Sequence, residues 1–218
     1  PIPAHCIAPP MREVELKVLD SLATVSAAEW DALTEGNPTL RHTYLQSMID
    51  AGCTTAETGW LPQFLTLWRE VDGRETLCGA VPLYVKGHSY GEYVFDWAWA
   101  EAYQRHGLDY FPKLLAAVPF TPCSGSRLMA RTTADRKLLI DGLMDLARQS
   151  DVSSLHVLFA GEEQQRLLVD AGILTIAAFI GIGSAAPDDH PITVLETAER
   201  DHATRKAYRR DALVTTAH

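Results

Sequence analysis

The chain has 218 residues, of which 47% are hydrophobic and 22% are charged, a composition typical of a soluble globular protein with one core. The formal net charge of −9 excludes a surface that coats DNA, although a local basic groove for a phosphorylated ligand stays compatible with it. No apolar run approaches the roughly 18–20 residues of a membrane span, and no signal peptide is visible, so we expect a cytoplasmic protein.

The spacing of cysteines and histidines does not indicate a metal site or a disulfide framework. The four cysteines stand far apart and never form a CxxC pair, and the eight histidines form no HxH or HxxxH pair. Glycine-rich phosphate loops of the GxxxxGK[ST] or GxGxxG type are also absent. We therefore expect reduced thiols, no metal and no tightly bound cofactor; the four cysteines are Cys6, Cys53, Cys78 and Cys123.

The start of the chain is predicted to contain a strand and two helices. We interpret residues 1–12 as a disordered leader, while residues 13–19 alternate polar and apolar types at the period of a half-buried strand. Ser26 then occupies the N-cap position of a short helix. A second helix begins at Thr43 and ends at Gly52.

A β-hairpin is predicted next. The apolar runs at 64–71 and 76–86 flank Asp72-Gly73, and an Asp-Gly pair between two such runs is a strong hairpin signal. Residues 93–97 are compatible with a further strand because they are rich in aromatic and β-branched types.

The second half of the chain alternates helices and strands. The predicted elements are helices at 99–106, 133–149 and 162–172 and strands at 110–120, 153–159 and 173–183. Paired antiparallel strands followed by this alternation predict an α/β (mixed α+β) fold with one sheet around one core.

The segment GHSYG at 87–91 matches the G-x-S-x-G pattern of serine hydrolases, in which the nucleophile lies on a sharp turn between a strand and a helix. The residues that follow, EYVFDWAW, make a poor first helical turn. Asp141 or Asp145 followed by His156 supplies the chain order of such enzymes. We interpret Ser89 as a turn residue beside a cleft and keep a serine hydrolase as an alternative.

Residues 86–127 contain the densest group of aromatic and ionisable side chains in the chain. Such residues next to strands are typical of clefts, where an aromatic wall and a few polar groups bind a ligand and shift pKa values. A solvated rim around aromatic core residues is the alternative interpretation. We expect a ligand-binding cleft here.

This region resembles the FemAB-like N-acyltransferases, a family of the GNAT-fold superfamily that is often described as peptidoglycan biosynthesis proteins. The resemblance is carried by KGHSYGEYVFDWAWAEAYQRHGLDYFPKLLAAVPFTPCSGSRLM at 86–129, begins near Trp60 in GWLPQFL and extends to about Gly172. It implies a GNAT-like mixed, largely antiparallel sheet flanked by helices. It also implies transfer of an acyl or aminoacyl group from an activated donor to an amine.

The resemblance implies acyl-CoA or aminoacyl-tRNA as the co-substrate, and a small molecule or a peptidoglycan precursor as the acceptor. The acidic net charge does not indicate a tRNA partner. A non-catalytic lobe that recognises a precursor or an acyl carrier is a further alternative.

Acyl transfer to an amine needs a general base and donors that stabilise the tetrahedral oxyanion. From side-chain type and position in the resembling segment, we expect Glu92 to be the base, with Asp96 or His88 as substitutes. Tyr90 or Tyr93 would protonate the leaving group. The remaining predicted binding residues, which would anchor a phosphate or carboxylate or line the cleft, are Lys86, Trp97, Tyr103, Lys113 and Arg127.

The chain departs from the family pattern after AGIL. We expect one acyltransferase lobe at 13–180 and a divergent tail at 181–218, which we interpret as a truncation or a change of reading frame. The resemblance implies that full-length relatives carry a second lobe, so this chain would lack one wall of the cleft.

Overall fold

A computed structural model of the chain describes residues 14–92 and 96–171, without the side chains of 97–99, together with a short backbone segment at 213–214. The predicted leader at 1–12 and the predicted strand at 173–183 lie outside the described residues. The domain boundaries drawn from the sequence stay predictions.

The fold is mixed α+β, as predicted, with two mostly antiparallel sheets flanked by helices. The helices are α1 (Ala27–Asp31), α2 (His42–Asp50), α3 (Trp97–Arg105), α4 (Thr133–Gln149) and α5 (Glu162–Asp170), with a 3₁₀ turn at Pro38–Leu40. The strands are β1 (Val14–Leu19), β2 (Leu61–Pro62), β3 (Phe64–Val71), β4 (Arg74–Val81), β5 (Leu83–Lys86), β6 (Lys113–Ala116), β7 (Met129–Ala130), β8 (Ser154–Val157) and β9 (Leu213–Val214).

The first sheet has the strand order β1-β3-β4-β7, and all of its pairings are antiparallel. The second sheet has the order β2-β5-β6-β8-β9. In the second sheet β5 pairs antiparallel with β2 and β6, whereas β8 pairs parallel with β6 and β9. The predicted hairpin is β3 and β4, joined at Asp72-Gly73.

The prediction of one sheet differs from the structure because the chain passes from one sheet to the other just before the first arm of the hairpin and within the second arm. The run at 76–86 is divided at Pro82, which has no N–H to continue a ladder, into β4 of the first sheet and β5 of the second. Beside this division, Gln63 separates β2 of the second sheet from β3 of the first. The Gln63 N–H donates to the Leu83 carbonyl at 2.8 Å. A continuous apolar run therefore supplies two sheets.

Most of the predicted elements occur with boundaries shifted by a few residues. The helix at 133–149 has the predicted bounds, and the helix predicted at 99–106 spans Trp97–Arg105. The strand predicted at 93–97 does not extend to residue 97, because Trp97 begins helix α3. Residues 93–95 lie outside the described residues.

The buried apolar residues form two clusters on opposite faces of the strands, where one core was predicted. Phe64 points to a cluster beneath α1 and α2, whereas its neighbour Leu65 points to a cluster beneath α4 and α5. Tyr84 and Leu83 on β5 divide in the same way, because successive side chains of a strand face opposite sides. The strands are thus covered by helices on both faces.

Helix α4 depends on a local N-cap at Thr132. The Thr132 hydroxyl accepts a hydrogen bond from the Asp135 N–H at 3.1 Å and donates to the Asp135 carboxylate at 2.8 Å. Asp135 also forms an ion pair with Arg69 of β3, so the cap helps to fix the helix against the first sheet.

We expect Thr132→Ala to lower the free energy of unfolding by about 1 kcal/mol, because the first turn of α4 loses its cap. Urea denaturation followed by circular dichroism measures the change. Thr133→Ala, at the exposed first position of the helix, is the control and should leave the midpoint close to that of the wild type. Equal midpoints for all three proteins would contradict the role of the cap.

Candidate functional site: a buried lysine–carboxylate network

The end of β5 and the start of β6 place two lysines directly opposite each other. Lys86 and Lys113 are cross-strand partners in the antiparallel register, and neither is exposed to solvent. Like charges in this position destabilise a sheet, and a buried ammonium needs a counter-charge. The turn after β5 and the start of α3 supply two carboxylates, Glu92 and Asp96, which are 3% and 6% exposed. We call these four residues the lysine–carboxylate network.

Lys113 is the centre of the network. Its ammonium group donates to Asp96 Oδ2 at 2.6 Å, to Glu92 Oε2 at 2.9 Å and to the Ser89 hydroxyl at 2.9 Å. An ammonium group has three N–H donors, so these three acceptors use all of them. In this arrangement Lys113 joins two carboxylates and a hydroxyl that come from different parts of the turn.

A single oxygen of Asp96 collects three hydrogen bonds. Oδ2 accepts from Lys113 and also from the hydroxyls of Ser89 at 2.6 Å and Tyr110 at 2.8 Å. Burial by itself would raise the pKa of Asp96, but Lys113 and the two hydroxyls outweigh it and lower the pKa below its usual value. Asp96 is therefore held as a carboxylate.

Glu92 differs from Asp96 because only one of its oxygens is bonded. Oε2 accepts from Lys113, whereas Oε1 is buried with no hydrogen-bond partner among the described residues. The Lys86 ammonium lies 3.9 Å from Oε1, which is beyond hydrogen-bond distance. Burial raises the pKa of Glu92, and the attraction of Lys113 and Lys86 reduces this shift without cancelling it. Of the two carboxylates, Glu92 is the better proton acceptor.

Lys86 lies in a less polar environment than Lys113. Its ammonium donates to the Tyr90 carbonyl at 3.1 Å and lies 3.8 Å from the centre of the Trp60 ring, within cation–π range. Burial lowers the pKa of Lys86 to about 8, although the charge of Glu92 opposes the change. The two lysines and two carboxylates sum to zero when all four are ionised.

Tyr110 connects the network to a group of aromatic rings. Its ring centre lies 5.1 Å from that of Tyr103 and 6.1 Å from that of His156. His156 is buried in β8 and shares a 2.8 Å hydrogen bond with the Ser154 hydroxyl. Burial, with help from the charge of Lys113, lowers the pKa of His156 to about 3, so the imidazole is neutral at physiological pH.

The groups of the serine hydrolase alternative are not brought together. The hydrogen bonds of Ser89 run to Asp96 and Lys113, and His156 is bonded to Ser154. Both predicted acidic partners lie on exposed positions of helix α4, as Asp141 and Asp145. Helix α3 begins at Trp97 and not directly after the serine turn.

His88 and Tyr90 lie on the outer side of the turn. Their ring centres are 5.0 Å apart, and Tyr90 is 69% exposed. Burial and the neighbouring Lys86 lower the pKa of His88. The imidazole lies directly on Gly59, where a Cβ atom would come within 2.4 Å of Nε2, and Gly59 also has a positive φ of 69°. A side chain at Gly59 would displace this histidine.

Arg127 lies apart from the network. Its guanidinium is fully buried and donates to the carbonyls of Leu158 at 2.9 Å, Ser126 at 3.3 Å and Cys123 at 2.6 Å. Burial lowers the pKa of Arg127 to about 10, which leaves it charged at neutral pH. These bonds join the segment before β7 to the end of β8, so in this structure Arg127 ties loops together.

Six of the ten predicted site residues therefore meet around one turn, and Tyr103 joins them through Tyr110. The six are Lys86, His88, Tyr90, Glu92, Asp96 and Lys113. Tyr93 and the side chain of Trp97 lie outside the described residues. The roles assigned to these residues stay predictions.

Sequence reasoning gave no site role to Tyr110, which lies in the dense segment 86–127, or to Trp60, and it treated Ser89 as a turn residue with a nucleophile as the alternative. Tyr110 lies three positions before Lys113, but a strand alternation pattern does not show that its hydroxyl reaches Asp96. The signal for Ser89 was the G-x-S-x-G match, although the partners of this serine differ from those of a hydrolase.

Across residues 14–92 and 96–171 no group of three or more potential metal ligands is found, and Cys53, Cys78 and Cys123 are free thiols. None of the helices in these ranges combines the length and the apolar character that crossing a membrane requires.

We expect Lys113→Met to lower the free energy of unfolding by about 3–5 kcal/mol, because it leaves Glu92 and Asp96 buried without their shared cation. Urea denaturation at neutral pH measures the loss. Lys137→Met, at an exposed position of α4, is the matched control. A loss no larger than that of the control would show that the network does not stabilise the fold.

The pKa of Lys86 predicts a pH dependence with a definite sign. Between about pH 8, where the folded state releases this proton, and pH 10.5, where the unfolded state releases it, the unfolded chain binds more protons. The contribution of Lys86 to stability therefore rises with pH across this window. We expect the unfolding free energy of the wild type minus that of Lys86→Met to increase between pH 8 and pH 10.5.

Parallel urea titrations at both pH values measure this difference, and the same subtraction with Lys137→Met controls for general effects of alkaline pH. A constant or decreasing difference for Lys86→Met would contradict the lowered pKa.

The comparison with known proteins agrees with the resemblance in the sequence. A family model described as FemAB-like, peptidoglycan biosynthesis/recognition, matches residues 21–179. Neither the curated proteins nor the solved structures contain a significant match to this chain. The matched range covers well over half of the 218 residues and includes the whole lysine–carboxylate network. The chain belongs to the FemAB-like family.

Proposed function

We propose that this protein is an N-acyltransferase that moves an acyl or aminoacyl group from an activated donor to an amine of a peptidoglycan precursor. The donor would be acyl-CoA or aminoacyl-tRNA. The family description supports the link to peptidoglycan. The network would supply the acid–base chemistry.

The observation that carries this proposal is the state of Glu92. It is a buried carboxylate with a raised pKa and one oxygen that lacks a hydrogen-bond partner among the described residues. A general base works best when its pKa lies near the working pH, and burial is one way to raise a carboxylate towards it. Glu92 would accept the proton that the amine loses when it attacks the acyl carbon.

The neighbours of Glu92 would support the same reaction. Lys113 and Lys86 would place positive charge beneath the region where a tetrahedral oxyanion develops, and buried charge is little screened by water. Tyr90, which is 69% exposed, would protonate the leaving thiolate or alkoxide of the donor. Asp96 would stay ionised and fix the position of Lys113.

A second candidate function is non-catalytic recognition of a precursor. It is favoured by an open groove of about 570 Å³ beside helix α2, whose lining includes Arg41, Thr43, Tyr44 and Ser47. The lining also includes Asp31, Met48 and Cys53, so the groove would offer a cation, a carboxylate and hydroxyl groups beside apolar surface. A binding lobe would use the groove and keep the network as a structural element only.

We expect Glu92→Gln to lower kcat by about 10²–10⁴-fold with little change in KM, because the amide keeps the shape of the side chain but cannot accept the proton. The assay uses acetyl-CoA and alanyl-tRNA as alternative donors and a UDP-linked muramoyl pentapeptide as the acceptor. Mass spectrometry of the acceptor measures the added group.

Glu57→Gln, at an exposed position before β2, is the matched control and should retain wild-type turnover. Full activity in Glu92→Gln would remove Glu92 from the role of base. Calorimetric binding of the precursor without turnover by the wild type with either donor would support the recognition function instead.

A further inference from the structure

The buried position of Glu92 raises the question of how it exchanges a proton with a substrate. Glu92, Asp96 and Lys113 are between 0% and 6% exposed, so an acceptor amine does not touch them directly in this structure. Proton transfer needs hydrogen-bond contact or a connecting group. Ser89 is hydrogen-bonded to the network and partly exposed.

A continuous path of short hydrogen bonds runs from Ser89 to Glu92. The Ser89 hydroxyl donates to Asp96 Oδ2 at 2.6 Å, and the same oxygen accepts from Lys113 at 2.6 Å. Lys113 in turn donates to Glu92 Oε2 at 2.9 Å. Each link has the length of a normal or strong charge-assisted hydrogen bond. We call this path the relay.

We propose that the Ser89 hydroxyl is a catalytic group, the substrate-facing end of a relay that carries a proton from the acceptor amine through Asp96 and Lys113 to Glu92. This inference rests on the proposed acyl transfer and adds a residue to it. A hydroxyl suits this position because it accepts one proton and donates another at the same time.

Proton transfer along the relay accompanies the attack of the amine on the acyl carbon. When the amine nitrogen bonds to the acyl carbon, the nitrogen gives one proton to Ser89 Oγ, and Ser89 passes its own proton to Asp96 Oδ2. Lys113 releases one of its protons to Glu92 Oε2, and Glu92 becomes a neutral acid. The Lys113 amine then turns its freed lone pair to Asp96 and takes the proton from Oδ2, so Lys113 ends with three protons and Asp96 is ionised again. The C–S or C–O bond to the carrier then breaks and Tyr90 protonates the leaving thiolate or alkoxide. The proton on Glu92 returns along the relay to Ser89 and through water to the Tyr90 phenolate, which restores both groups.

The hydrogen bonds and the pKa shifts of the two carboxylates indicate that Glu92, and not Asp96, is the end of the relay. Asp96 Oδ2 already accepts three hydrogen bonds, and these lower its pKa, so it does not hold the proton. Glu92 has an oxygen without a partner and a raised pKa. Asp96 thus conducts the proton and Glu92 stores it.

The relay differs from a mechanism in which Ser89 is a nucleophile. A nucleophilic serine transfers its proton to a base that accepts it readily, as histidine does in serine hydrolases. Here the direct partner of the Ser89 hydroxyl is the poorer acceptor of the two carboxylates, and the neighbouring His156 is bonded to Ser154. The acyl group would therefore pass to the amine without an acyl-serine intermediate.

The first test needs no substrate. Exchange of the Lys113 ammonium protons with water is measured by NMR in ¹⁵N-lysine protein, with the resonance assigned by its loss in Lys113→Arg. We expect Ser89→Ala to slow this exchange several-fold because the exposed hydroxyl is the entry to the relay, and Ser89→Thr to restore it. Ser150→Ala, at the end of helix α4, is the control and should show the wild-type rate. Unchanged or faster exchange in Ser89→Ala would overturn the relay.

The second test separates this inference from the proposed function. In the transfer assay we expect Ser89→Ala to lower kcat by about 10²-fold or more at unchanged KM, with recovery in Ser89→Thr. Wild-type turnover in Ser89→Ala would overturn the relay and leave acyl transfer intact. Absence of transfer by the wild type would refute acyl transfer, while the Lys113 exchange rates would still decide whether the relay conducts protons. A fluorophosphonate adduct on Ser89 would overturn the relay in favour of a nucleophilic serine.

Discussion

The repulsion between Lys86 and Lys113, which face each other across β5 and β6 without access to water, is the constraint on which the site depends. Two adjacent buried ammonium groups are stable only if carboxylates neutralise them. Glu92 and Asp96 meet this need, and they can do so only if the chain turns sharply after β5 and enters helix α3 beside β6. The charge balance thus depends on the turn after β5 and on the start of α3, which bring both carboxylates to the lysines.

The same balance gives the site its chemistry. Because Lys113 bonds to both carboxylates, their protonation states are linked, while the two hydroxyls on Asp96 make the carboxylates unequal. One carboxylate is held ionised, and the other is left with an oxygen that has no partner among the described residues. Environments that separate the pKa values of neighbouring acids are a common arrangement in acid–base catalysis. The proposed acyl transfer to an amine would use this property.

Much of the fold and part of the site could be predicted from the sequence. The periodicity of 133–149 predicted helix α4, since its apolar residues recur at helical spacing, and Asp72-Gly73 predicted the hairpin of β3 and β4. The division of the second hairpin arm at Pro82 was not predicted, because a single apolar run does not show that its two halves pair with different sheets. Within the site, Tyr110 was missed because its contact with Asp96 spans fourteen positions of a segment without regular alternation.

The sequence by itself determined the mixed α+β class, the family and the segment that contains the network, because these depend on residue types, their local periodicity and their order along the chain. Only the tertiary structure decided which of the ionisable residues act together. It placed Arg127 on main-chain carbonyls away from the network and the two lysines opposite each other. It also gave Ser89 two charged partners. These outcomes depend on strand register and on burial, which bring residues from distant positions within hydrogen-bond distance and remove the water that would otherwise screen their charges.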